Sequence, residues 1–302
     1  MRHRVGFVAA CKYTLCMTLV ITVLGNNKVV QVADTRLTLN GKVHDAHAIK
    51  AVNVACADAQ FCIGYSGVAE IEGERTDRWL VEQIASTFDS GHHGIRAVTW
   101  SLAERAEQAM PKLRYKGLRV KREGRALQLI MAGYHHSENG PLSRPFKTSI
   151  TNTRFQGIDN PLDVNDEFVI IPSMLRPGLP NSEFTGHMLG TVPAIMSEDP
   201  YGKQARKTLN QVMREMKRFD LGEMPSGKAT VERLVDVIRQ ASKHPRFGRL
   251  IGRDCLSVVI HPNNRMPWSY YHPEASSTTI RLPHLVSPWQ RVVDAELREV
   301  EG

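Results

Sequence analysis

This chain has no apolar run long enough to cross a membrane as a helix. Leu15 to Gly25 is only eleven residues, about half of the roughly 20 that a span needs. It also carries Thr18 and Thr22, and its β-branched content suits a buried strand. No membrane partner is expected, and the expected compartment is the cytoplasm. The five cysteines, Cys11, Cys16, Cys56, Cys62 and Cys255, are odd in number and show no Cys-x-x-Cys spacing. That argues against a disulfide framework or a zinc knuckle and suits a reducing compartment. Cys62 and Cys255 lie in apolar runs and read as plain buried thiols. His92-His93 and His135-His136 are adjacent pairs with no carboxylate or cysteine at a ligand spacing, so no metal and no cofactor is expected. There is no internal repeat and no low-complexity segment. Strands and helices do not alternate in a βαβ period, which leaves α+β as the fold class.

The 302 residues suffice for one large domain or two small ones. A hydrophobic content of 42% and a charged content of 23% are ordinary for a globular chain. The net charge of +8 permits acidic partners but speaks to association, not to fold. Met1-Arg2-His3-Arg4 resembles the start of a secretory signal. Lys12 interrupts the apolar stretch after it, and no small-residue cleavage site precedes Asn26-Asn27, so a signal is not expected.

From residue 18 the text reads as short strands. Val20–Leu24 and Val29–Ala33 flank the turn Gly25-Asn26-Asn27, and Leu37–Val43 passes through the hairpin dipeptide Asn40-Gly41. Ile49–Val54 and Phe61–Tyr65 form another pair. Thr76 is expected to cap a helix carrying Leu80, Ile84 and Phe88, and Ile95, Val98, Leu102, Ala106 and Met110 mark a second that runs into Pro111. Leu127–Tyr134 reads as a strand, with Lys147–Arg154 and Glu167–Ile171 paired on it or near it, and Pro and Gly mark residues 172–180 as a loop. Helices over Gln204–Phe219 and Ala229–Ala241 precede a strand at Cys255–Ile260.

Thr18, Asp34 and Lys50 stand sixteen residues apart. A threonine hydrolase needs a hydroxyl, a carboxylate and a lysine brought together. The surrounding text is Met17-Thr18-Leu19-Val20-Ile21-Thr22-Val23-Leu24-Gly25, Val29-Val30-Gln31-Val32-Ala33-Asp34-Thr35-Arg36, Ala48-Ile49-Lys50-Ala51-Val52 and Phe61-Cys62-Ile63-Gly64-Tyr65-Ser66-Gly67-Val68-Ala69. Together these resemble the opening of proteasome β-type subunits and their bacterial relatives, which are N-terminal nucleophile hydrolases. The similarity covers residues 18–262, specific up to Ala69 and looser beyond. It implies a four-layer αββα sandwich and divides the chain into residues 1–17, a propeptide or a mis-assigned start, a hydrolase domain at 18–262 and a C-terminal extension at 263–302.

The same resemblance implies a threonine peptidase that cuts peptides or unfolded proteins through Thr18. A threonine hydroxyl needs a base, and the free α-amine of the same residue can serve. Such an amine titrates at about 7.7–8.0, suited to proton transfer near neutrality. Thr18 must therefore be the first residue, reached by trimming Met17 or by autolysis of residues 1–17. Lys50 would ease proton movement beside the hydroxyl, Asp34 would anchor it, and Arg36 matches a further family position, read on the same strand face as Asp34. Gly67 would offer its backbone N–H as the oxyanion hole, with Gly64 as competitor. Thr191 stands where the family has a serine. Before the last strand the family places an Asp and a Ser-Gly, whereas this chain has Gly248, Ile251 and Gly252, with Asp254 beyond.

Two alternatives remain open. The site can serve a non-peptide amide, since N-terminal nucleophile hydrolases include amidases and acylases. Otherwise the chain is an inactive shell that binds polyanions through Lys112, Arg114, Lys116, Arg119, Lys121, Arg122 and Arg125. That run reads first as a solvated connector, and nucleic acid is not the expected partner. Residues 263–302, with Trp268, Tyr270, Tyr271 and Trp289, either wrap the domain or form a subunit contact. A homo-oligomeric ring or spiral is expected, and any ATPase unfoldase would be a separate chain.

Overall fold

The computed structural model describes residues 18–25, 28–39, 42–115, 117–136, 144–154, 163–174, 185–190, 193–196, 198–219, 227–245, 248–262, 268–275, 280–281 and 285–286. Two six-stranded sheets dominate. The first joins β1 (Leu19–Leu24), β2 (Val29–Asp34), β8 (Thr185–Gly190), β9 (Cys255–Ile260), β10 (Trp268–His272) and β11 (Ile280–Arg281) in the order β8-β1-β2-β9-β10-β11. The second joins β3 (Ala51–Ala55), β4 (Ala59–Gly67), β5 (Leu127–His135), β6 (Arg144–Arg154), β7 (Asp163–Met174) and β12 (Leu285–Val286) in the order β7-β6-β5-β4-β3-β12. Every neighbouring pair is antiparallel except β12 on β3. The class is mixed α and β with antiparallel sheets, as the sequence pattern leads one to expect.

Period-two alternation assigns each strand face. On β4, Phe61, Ile63 and Tyr65 pack against α1 (Thr76–Asp89) and α2 (Ile95–Ala109), through Leu80, Ile84, Val98 and Leu102. Cys62 points the other way, meeting Ala132 and Tyr134 of its own sheet and Leu24, Val29 and Val258 of the first sheet. On the first sheet, Leu19, Ile21, Val30 and Val32 face α3 (Pro200–Phe219) and α4 (Gly227–Ala241), through Val212, Leu234 and Ile238. Covered on both faces, β1, β2 and β9 are buried along their whole length and are apolar but for Thr22, Gln31, Asp34 and Ser257. Gly64 sits where the sheets approach closely: a Cβ there would lie 2.8 Å from both Val20 Cγ1 and Gln31 Oε1. Among the described residues, no helix is long and apolar enough to cross a membrane.

Three local expectations change. Thr76 is the first residue of α1, not its cap. Arg75 holds that place, and the Thr76 hydroxyl donates instead to the Val68 carbonyl at 2.7 Å. Strand β7 runs on through Pro172 to Met174 rather than yielding to a loop at 172. Proline is tolerated there because β7 is an edge strand. The described part of the C-terminal extension adds strands to both sheets, β10 beside β9 and β12 beside β3.

Candidate active site

The sixteen-residue spacing of Thr18 and Asp34 is a hairpin property. Val20 pairs with Ala33 and Leu24 with Val29, so the start of β1 lies beside the end of β2. The Leu19 N–H, which directly follows Thr18, donates to Asp34 Oδ1 at 2.7 Å. On its other side β2 pairs with β9, placing Asp34 opposite Cys255 in the middle of the first sheet.

Asp34 is the hub of the site. Oδ2 accepts from the Gly252 N–H at 2.8 Å and the Arg36 N–H at 3.1 Å. The Lys50 ammonium lies 3.2 Å from both carboxylate oxygens and donates also to the Arg36 carbonyl. Both side chains of this ion pair are 0% exposed. A buried charge is tolerated when paired and hydrogen-bonded. Three main-chain N–H groups and one ammonium approach the roughly four lone-pair sites of a carboxylate. Thr18 itself is buried.

Lys50 reaches Asp34 because the chain before β3 is braced. The Thr35 hydroxyl donates to the Ala46 carbonyl at 2.6 Å, the Ala48 N–H donates to the Thr35 carbonyl at 2.8 Å, and the Tyr65 hydroxyl donates to the Ile49 carbonyl at 3.0 Å. A lysine flanked by Ile49 and Ala51 enters the interior with its neighbours, so its ammonium needs an internal partner.

The candidate residues do not all meet. Asp34, Lys50 and Arg36 converge, Arg36 through its backbone, and Thr18 comes in through the amide of the residue after it. Arg36 lies beyond the last residue of β2, not on the strand face of Asp34, and its guanidinium turns to the Arg249 carbonyl at 3.3 Å. Gly67 ends β4 on the other sheet and is not bonded to Asp34. Its φ of +112° favours glycine, and a Cβ there would lie 1.9 Å from the Ala126 carbonyl oxygen. Gly64 serves sheet packing. Thr191 lies outside the described residues.

The segment before β9 has its own logic. Gly252 is a glycine because a Cβ would lie 2.9 Å from Arg36 Cβ and 3.3 Å from Asp34 Oδ2. Ile251 joins the core under α4, and Gly248 lets the chain pass the Ser242 carbonyl. The Asp254 carboxylate has other partners. It accepts from the Glu274 N–H at 2.7 Å and stands 3.7 Å from His47, while its carbonyl accepts the Thr35 N–H at 3.1 Å. The local sequence pattern does not show the bond of Gly252 to Asp34, because 218 residues separate the two. Nor does it show the part played by the Leu19 amide. A buried Asp at the end of a hairpin strand, in need of N–H donors, is the signal that could have found both.

The thiols lie outside this chemistry. Burial pushes Cys62 up to about 12. It raises Cys56 and Cys255 further, helped by Asp58 and by Asp34 respectively. A protonated buried thiol is a poor nucleophile. A second hydroxyl, Ser257, lies 2.7 Å from His272 Nε2. Burial, then Arg239, lowers His272 to about 4, so the ring is neutral near pH 7. Of the basic run, Arg119, Arg122 and Arg125 bond main-chain carbonyls, while Lys112, Arg114 and Lys121 are exposed.

The chain matches no protein-family model and no curated protein sequence.

Proposed function

We propose that the chain is a threonine peptidase of the proteasome β-like group, built on the αββα sandwich of N-terminal nucleophile hydrolases. The observation that carries this reading is the fully buried Asp34–Lys50 pair, anchored by the amide that follows Thr18. A buried ammonium stabilised by a carboxylate with three further N–H donors is costly to build for stability alone. Its position beside the start of β1 fits a role in moving a proton at Thr18.

In the proposed reaction, removal of residues 1–17 frees the Thr18 α-amine. That amine takes the hydroxyl proton as Thr18 Oγ1 attacks the peptide carbonyl to give a tetrahedral intermediate. The amine proton passes to the leaving nitrogen, and the peptide C–N bond breaks. Water then hydrolyses the ester, returning the hydroxyl. Lys50 holds positive charge beside these transfers and lowers the pKa of its neighbours. A homo-oligomeric ring or spiral would hide such sites from folded proteins. The test is Thr18→Ala in purified protein that begins at Thr18: peptide hydrolysis should be abolished and the fold kept. Hydrolysis of non-peptide amides alone would move the assignment to an amidase.

A further inference from the structure

We infer that the face built by α2, β7 and the basic hairpin after α2 is a two-fold contact with a second copy of this chain. Helix α2 and strands β6 and β7 enclose a groove of about 1160 Å³, lined by Trp100, Ala103, Phe146 and Phe168 among others. Trp100 is 59% exposed and Val169, on the groove wall, 50%. An aromatic left this open in an apolar groove is characteristic of surfaces that bind a partner. Glu104 and Glu107 line the same groove from α2, which also contributes Arg96, while β5 contributes His135. The groove wall thus carries two carboxylates in a chain of net charge +8.

Directly after α2 the chain turns through a short hairpin, Arg114–Tyr115 paired with Leu118–Arg119. Leu118 is 76% exposed, and Lys112, Arg114, Arg119 and Lys121 around it are exposed too. The return segment is fastened to β7: Arg122 bonds the Val164 carbonyl, and Arg125 lies 3.7 Å from Asp166. These contacts hold the return segment on β7, the strand that also lines the groove. An exposed leucine on the return strand, among exposed cations, stands beside an apolar groove with two glutamates on its wall.

This adjacency selects the symmetry. A head-to-tail contact through this face would make one hairpin–groove contact per interface. Across a two-fold axis each hairpin meets the other copy's groove, and both complementary contacts are made twice. The partner does not add a strand to the open edge of β7. Asp163, Asp166 and Glu167 charge that edge and Pro172 lacks a donor, the usual means of blocking strand addition.

The experiment measures mass in solution for the full chain, whose monomer is 33.9 kDa, by sedimentation at low and at molar salt. One variant carries Glu104→Lys and Glu107→Lys, the other Arg114→Glu and Arg119→Glu. Each variant alone should lose at least half the wild-type assembly mass, because hairpin and groove then bear like charge. Mixing the two should restore that mass, since each mutant hairpin now faces a groove of opposite sign. Molar salt should weaken the wild-type contact, and Leu118→Asp should abolish it without rescue by mixing. An unchanged mass in either reversal, or no restoration on mixing, overturns the inference. So does a hairpin reversal that abolishes retention on a heparin column while leaving mass untouched, which assigns the hairpin to polyanions. The readout is mass, so a paired but inactive protein would refute only the peptidase reading.

Discussion

Asp34 and Lys50 form one ion pair, yet removing them should not cost the same. Asp34→Leu takes away the acceptor of the Leu19, Arg36 and Gly252 amides as well as the partner of Lys50. An orphaned buried N–H costs about 1–3 kcal/mol, and breaking a buried pair by removing one partner costs about 3–5 kcal/mol. These terms overlap because the groups touch. Even so, the loss should exceed about 5 kcal/mol, the lower bound of a typical domain's whole stability of about 5–15 kcal/mol. Lys50→Met removes the ammonium alone and leaves the carboxylate with its three amide donors, so it should cost about 3–5 kcal/mol. The double variant should recover only the part owed to the unpaired ammonium, because the three amides stay orphaned. Urea denaturation followed by circular dichroism gives these differences, provided the slope m is unchanged. If Asp34→Leu does not fold, Asp34→Asn keeps one carbonyl acceptor and should still fall below Lys50→Met. A Lys50→Met variant as unstable as the Asp34 variant, or a double variant with full recovery, would refute the hub role of Asp34.

Gly67→Ala should lose about 1–3 kcal/mol or more in the same assay, since its φ is positive and the new Cβ meets the Ala126 carbonyl at 1.9 Å. His272 has its pKa lowered to about 4 by burial and by Arg239, so the folded state disfavours the protonated ring. Its contribution is fully present above about 6.5, the unfolded value, and is lost as pH falls from there toward about 4. His272→Gln should flatten the urea midpoint over that interval. Cys56, Cys62 and Cys255 should resist alkylation at pH 8 in the folded protein and react in urea, because burial keeps all three protonated.

Much of the scaffold is legible locally. The β1–β2 hairpin follows from apolar runs around Gly25, and its register brings residue 18 beside residue 34. α4 follows from Val231, Leu234, Val235 and Ile238, all of them buried. Lys50 announces itself as a charge inside an apolar run. The features that local pattern misses share a cause, which is that their reason lies far along the chain. Gly252 is fixed by Arg36 and Asp34, and the Thr76 hydroxyl is claimed by Val68 before it can cap its own helix. Pro172 reads as a loop residue because nothing local shows that β7 has an open edge. Arg36 resembles a side-chain contributor, but β2 ends two residues before it, so only its backbone reaches the site.

The proposed chemistry stands or falls on Thr18 being a nucleophile with a free α-amine. Intact mass and N-terminal sequencing of the purified protein, combined with labelling by a threonine-directed electrophile, address this most directly. The chain should begin at Thr18 and carry one label on that residue, with the label lost in Thr18→Ala. A chain that keeps residues before Thr18 and still hydrolyses peptides would contradict the mechanism, as would a label that survives Thr18→Ala.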